Sequence, residues 1–318
     1  MKLSEKTLKI VLSTSLSILI AQFLQLENPL AAGIIAILSV LDTKKESLMT
    51  ASARILSTIV AFIIATIVFY FMGFTVLAFG VYLFIYVPVA YRFHLEDGIA
   101  PCSVLVTHFM IAESTSMYWQ VNGLLLMTIG AIMAVGFNLW MPSQKQVLDQ
   151  KIEEIEEGMR TILHYLSVQL LEKTENEQLN NHIRQVHTLL INAEERALTE
   201  YNNQLLNKDN YYIKYVRMRR NQLDIMKKMA RDVCNIQLRI DQNARLAQVF
   251  EDISLQFHET NTGIELLQNL ALLYKEFRQS PLPQTRDEFE SRAILFQLLN
   301  DIDRFLQLKK EFYLEQNK

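Results

Sequence analysis

The stretch WQVNGLLLMTIGAIMAVGFNLWMPSQKQVLDQKIEEIEE, residues 119–157, decides how the chain is read. From Trp119 to Met141 it is almost wholly apolar, with a tryptophan at each end, Trp119 and Trp140. As helix that separation covers about 31 Å, close to the roughly 30 Å hydrocarbon core of a bilayer. Indole rings favour the two membrane–water interfaces, so the run reads as a span anchored at both surfaces. Pro142 interrupts the pattern. Lys145 then opens a charged helix with Glu153, Glu154, Glu156 and Glu157, an acidic run read as a solvated face. One segment thus leads the chain out of lipid and into water.

Composition divides at the same place. Residues 1–142 hold 7 Lys/Arg and 7 Asp/Glu, while residues 143–318 hold 24 and 27. The net charge of −3 and the hydrophobic share of 50% average two unlike halves. The expectation is an all-α chain: a six-helix transmembrane domain over 1–142, then an antiparallel helical-bundle cytoplasmic domain over 143–318. The second half is long enough to bury its own core. The two cysteines, Cys102 and Cys234, fall one in each half and outline no disulfide or metal framework.

Outward from the sixth span (119–141), five more apolar runs read as spans 9–26, 30–42, 50–71, 74–91 and 99–112. Lys2, Lys6 and Lys9 before the first resemble a signal-peptide n-region. No small-residue cleavage site follows, so an uncleaved span is the better reading. With the N-terminus inside, cytoplasmic ends hold Lys2, Lys6, Lys9, Lys44, Lys45, Arg54, Arg92, Lys145 and Lys151. The loops near Glu27, Gly73 and 113–118 hold no Lys or Arg, so six spans with both termini cytoplasmic satisfy the positive-inside rule. The second and fifth spans are short and carry Pro29 and Pro101 near their starts. Short, interrupted spans in corresponding positions suggest an inverted repeat, residues 1–72 against 73–142, with a substrate site between the halves. Small residues recur at Ala53, Ser57, Ala61 and Ala65, and at Gly130, Ala134 and Asn138. They read as close packing within the chain or as a self-association face.

The second half reads as five helices, near 145–170, 175–206, 210–240, 243–278 and 285–314, with Gly263 bending the fourth. It has no phosphate loop, no Gly-x-Ser-x-Gly and no His-Glu-x-x-His, so no enzyme is read from it. His182 and His187 are five apart and do not share a helix face as metal ligands would. Lys214, Arg217, Arg220, Lys227, Lys228 and Arg231 project onto one arc, either a solvated face or a flank for anionic lipid headgroups. The slight negative charge argues against nucleic acid.

Polar groups inside a membrane are costly and therefore informative. Arg54 reads as an end anchor that snorkels or as an attractor for an anionic substrate. Thr107 and His108 lie in the fifth span, and His108 is a helix contact or a proton-titrating group. Asp42, Glu96 and Asp97 are further proton-coupling candidates.

Three segments carry a resemblance: Ala32-Gly33-Ile34-Ile35-Ala36-Ile37-Leu38-Ser39, Thr43-Lys44-Lys45-Glu46-Ser47 and Arg54-Ile55-Leu56-Ser57-Thr58. With them the chain resembles, over its whole length, the bacterial aromatic acid exporter family, related to the fusaric-acid-resistance-type proteins. The resemblance implies proton-driven efflux of aromatic carboxylic acids, a bacterial plasma membrane location and no cofactor. The expected partners are lipid, a small organic anion and further copies of the chain. The alternative is a non-transporting membrane anchor whose helical domain binds a partner or itself.

Overall fold

The computed structural model describes residues 3–140, 145–172, 176–205 and 209–316, and every regular element among them is helical. The chain divides into two compact units, Met1–Ser143 with Asn202–Lys208 and Gln144–Tyr201 with Asp209–Lys318.

The first unit holds α1 (Leu3–Phe23), α2 (Leu30–Ser39), α3 (Lys44–Met72), α4 (Val76–Arg92), α5 (Ile99–Ile111) and α6 (Met117–Leu139). A 3-10 turn, Glu96–Gly98, precedes α5. The turn between α1 and α2 passes through Gln25 and Asn28 in the left-handed region, which ends α1 earlier than the apolar pattern alone. Thr43 caps α3 by accepting from the Glu46 amide at 3.2 Å, an arrangement worth about 1 kcal/mol. The cap lets α3 begin at Lys44, so the charged opening is itself helical. Thr75 caps α4 in the same way. The interruption expected at Pro142 lies outside the described residues.

Three helices, α1, α3 and α6, are long and apolar enough to cross a membrane. Helices α2 and α4 are apolar but shorter, and α5 has 13 residues. Six full-length spans are therefore not what these lengths give. Large apolar side chains cover the outside: Phe23, Tyr70, Phe71, Val76 and Phe84 are each more than three-quarters exposed. Small ones pack inside, beside buried Phe62, Phe69, Tyr82, Tyr86 and Phe109. Ser57, Ala61, Ala65, Ala134 and Asn138 are fully buried, and Gly130 sits against the Ala32 carbonyl. Of the two tryptophans, Trp140 is exposed, whereas Trp119 packs against the core.

Two asparagines pin α6. Asn122 accepts from the Glu27 amide at 2.8 Å and donates to the Glu27 carbonyl. Asn138 donates to the carbonyls of Leu41 at 2.9 Å and Thr43 at 3.2 Å. Helices α6 and α2 therefore run in the same direction. Neighbours in this unit are α1–α2, α1–α6, α2–α6, α2–α3 and α2–α5, with α3–α4, α3–α5, α3–α6, α4–α5 and α5–α6. The set is unchanged when α1 is exchanged with α4, α2 with α5, and α3 with α6.

The second unit holds α7 (Lys145–Leu171), α8 (Asn176–Asn203), α9 (Tyr211–Cys234), α10 (Asp241–Leu255), α11 (Ile264–Gln279) and α12 (Arg286–Gln316). The single bent helix expected over 243–278 is two helices. The chain leaves helix after Leu255, and Gly263 at φ +72° starts α11, a conformation that costs most residues a Cβ clash. Ser167 donates to the Ala247 carbonyl and Ser254 to the Arg160 carbonyl, so α7 and α10 are antiparallel. Gln222 donates to the Phe305 carbonyl and Lys228 pairs with Asp301, so α9 and α12 are antiparallel too. Leu163, Leu166, Leu190, Leu223, Phe250, Leu298 and Phe305 bring α7, α8, α9, α10 and α12 into one apolar core.

A side chain at Gly130 has no room. A Cβ there would lie 2.6 Å from the Ala32 carbonyl oxygen, a backbone atom that cannot rotate away. Gly130→Ala is expected to destabilise the first unit by about 1–3 kcal/mol through overpacking, read as a lower midpoint in thermal unfolding of the detergent-solubilised chain.

Candidate functional site: a buried arginine where two short helices end

Arg54 lies in the third turn of α3, and its side chain turns inward. It is 6% exposed, so it does not snorkel to a surface. Its Nε donates to the Asp97 carbonyl at 3.0 Å, Nη1 to Ser39 Oγ at 2.5 Å, and Nη2 to the Leu38 carbonyl at 3.0 Å. Leu38 and Ser39 close α2, and Asp97 lies in the turn that opens α5. The guanidinium therefore joins the end of one short helix to the start of the other. The carbonyl end of a helix carries partial negative charge, so α2 offers a cation favourable contacts. A guanidinium has five N–H groups, so two remain without an acceptor among the described residues.

Hydroxyls extend this centre. Thr50 donates to Asp97 Oδ2 at 2.8 Å. Ser57 shares a hydrogen bond with Tyr86 at 2.7 Å and donates to the Leu95 carbonyl at 3.1 Å. Thr58 donates back to the Arg54 carbonyl and lies 3.3 Å from Cys102 Sγ. A Cβ on Gly98 would collide with Ser57, so only glycine lets the turn approach α3 this closely. Ser39, Thr50, Ser57, Tyr86 and Cys102 were not among the candidate site residues read from sequence, where Ser57 stood only in a stripe of small residues. For Thr50 and Ser57 the signal is hydroxyls recurring through the start of α3.

The other candidates separate. Asp97 belongs to the centre. Asp42 is exposed and paired with Lys6 at 2.8 Å, and Glu96 is exposed. Thr107 donates to the Val104 carbonyl of its own helix. His108 is buried, and its Nδ1 has no hydrogen-bond partner among the described residues. On α9, Lys214 pairs with Glu315, Arg220 with Glu194, Lys227 with Asp224 and Lys228 with Asp301. Arg217 and Arg231 of that flank have no such pair among the described residues. His182 stacks on Tyr165, with ring centroids 5.3 Å apart.

The acidic run at 153–157 is not wholly solvated. Glu156 is buried on the inner side of α7, where it takes Arg219 Nη2 at 2.5 Å and the Tyr215 hydroxyl. Arg219, 1% exposed, also donates to Gln222 Oε1 at 2.9 Å and lies over the Phe257 ring at 4.1 Å. Lys309, 6% exposed, lies over Tyr215 and donates to the Glu259 carbonyl at 2.5 Å. Burial, then the charge of Arg219, pushes its ammonium down to about 8. Burial pushes the Tyr215 hydroxyl up.

Family models match both units. "Aromatic acid exporter family member 1" covers residues 1–141, and "Putative aromatic acid exporter C-terminal domain" covers residues 145–310. The chain belongs to the aromatic acid exporter family. It is 32% identical over 311 residues to the uncharacterized protein YqjA of Bacillus subtilis (strain 168), covering 98% of this chain and 96% of that protein. It is also similar, at 22% identity and a TM-score of 0.49, to a solved structure described as a "putative membrane protein from Clostridium difficile 630". That match covers 53% of this chain and 98% of the other. Family and apolar helices together make this a multi-pass membrane protein.

Lys309 has a consequence for stability. Between about pH 8 and its ordinary value near 10.5, the unfolded chain binds a proton that the folded chain does not, so stability rises with pH there. Tyr215, raised in the fold, acts in the opposite sense above about pH 10. The net rise is expected between about pH 8 and 10, and Lys309→Met is expected to flatten it in denaturant titrations across that window.

Proposed function

We propose that the protein is a secondary exporter of small organic anions, aromatic carboxylates among them, with proton coupling. In this reading both termini are cytoplasmic, which the distribution of lysine and arginine supports. The single observation that carries the reading is Arg54: a buried guanidinium joined to the facing ends of the two short helices, with two N–H groups left over. An anion needs a fixed cation in a low-dielectric setting, and this one is held by exchangeable neutral acceptors rather than by a paired carboxylate.

The symmetric neighbour set supports a repeat of α1–α3 and α4–α6. In such a repeat α2 corresponds to α5, so Arg54 lies where the two halves meet, as alternating access around a central site requires. Cargo carboxylate would take over donors now given to Ser39 and the backbone, freeing one short helix to move. For proton coupling the reading takes His108, buried with Nδ1 unpartnered among the described residues, and Asp97, whose carbonyl accepts from Arg54. Thr107 is kept as a cargo contact.

The test is efflux of labelled 4-hydroxybenzoate from proteoliposomes under an imposed pH gradient. Gradient-dependent movement is expected, falling at least tenfold in Arg54→Ala and only partly restored by Arg54→Lys, which keeps charge but not the three-way geometry. His108→Ala is expected to uncouple movement from the gradient. Undiminished efflux in a folded Arg54→Ala protein would remove the reading and favour a membrane-anchored scaffold acting through the second unit.

A further inference from the structure

Within the second unit, Arg219 and Lys309 line one cavity with Ile253, Phe257, Leu266 and Leu306. Its water-accessible space is about 20 Å³, room for one small polar group, and it opens to solvent. His258, exposed, stands at the rim. Two cations that are each more than nine-tenths buried share this space. Glu156 neutralises Arg219. Lys309 has no carboxylate within ion-pairing distance among the described residues, and its one hydrogen-bond acceptor is the neutral Glu259 carbonyl. Two of its three ammonium donors have no acceptor among the described residues, and the ammonium lies over the Tyr215 and Phe312 rings at 5.1 and 5.6 Å. Burying a charge without an opposite partner is expensive, so an anion supplied from outside would remove that cost.

The geometry points to a ligand site for a small organic acid, its carboxylate on Lys309 and Arg219 and its apolar body against Phe257 and Leu306. Beside the two cations the lining is apolar at Ile253, Phe257, Leu266 and Leu306, with Gln256, His258 and Asn261 as its other polar residues. An inorganic anion would leave that surface uncovered. The choice of an aromatic body rests on the proposed cargo class, and the site itself rests only on the second unit. It makes the helical unit a sensor of acid in its own compartment.

The experiment is calorimetric titration of the full chain in lipid nanodiscs with sodium benzoate, and with benzyl alcohol as the uncharged ligand of similar shape. Saturable benzoate binding is expected, with benzyl alcohol silent. Lys309→Met is expected to weaken benzoate at least tenfold. His258→Trp, at an exposed rim position that leaves the fold alone, is expected to weaken it by blocking entry. Arg54→Ala is expected to retain this binding event while losing efflux, which separates this site from the transport reading. Absence of saturable binding, equal binding of benzyl alcohol, or wild-type affinity in both His258→Trp and Lys309→Met would overturn the proposal.

Discussion

A buried guanidinium needs polar partners, and the three that Arg54 finds hold the first unit together around it. Leaving such a charge without partners costs several kcal/mol even after relaxation. Arg54 obtains its partners from the last turn of α2 and the turn before α5. Those segments are thereby brought onto one face of α3. The last carbonyls of a helix lack intrahelical partners, and Arg54 supplies a donor to one of them, that of Leu38. Ser57 and Gly98 act in the same place. The hydroxyl accompanies the turn, and the absent side chain admits it.

Around this centre the packing follows what lipid permits. Burial of apolar area gives little drive between helices when the surroundings are equally apolar, so close approach and hydrogen bonds take its place. Ala61, Ala65 and Ala134 are fully buried, while Phe23, Tyr70, Phe71 and Phe84 face outward. Asn122 and Asn138 add polar fastenings at the two ends of α6. The second unit follows the opposite arrangement. Leucine, isoleucine and methionine fill its interior, and Lys214, Arg220 and Lys227 sit in exposed ion pairs at its surface.

The buried Glu156–Arg219 pair shows what linear patterns miss. Arg219 lies among six other basic residues of α9, and nothing in the run Arg217-Met218-Arg219-Arg220 distinguishes it. Helical geometry does: Arg219 is three and four residues from Val216, Leu223 and Tyr215, all buried. The signal was therefore present as phase, hidden by charge. Glu156 is similarly inward while Glu153, Glu154 and Glu157 face water. Gly263 offered the reverse lesson. A glycine in a helical pattern is compatible with a bend or a break, and contacts from other parts of the bundle decide which.

The sequence by itself determined the all-helical class, the division near residue 142 into apolar and charged halves, and Arg54 as the charge needing an explanation. Each rests on local composition and periodicity, which survive whatever the chain packs against. Tertiary structure alone decided that Arg54 turns inward, that Asp97 rather than its neighbour Glu96 stands beside it, and that Asp42 pairs with Lys6 at the surface. It also decided that Lys309 shares a cavity with Arg219, ninety residues earlier. The reason is common to all four. The partner of a charge is set by which distant backbone or side chain comes within about 3 Å, and no local pattern encodes that distance.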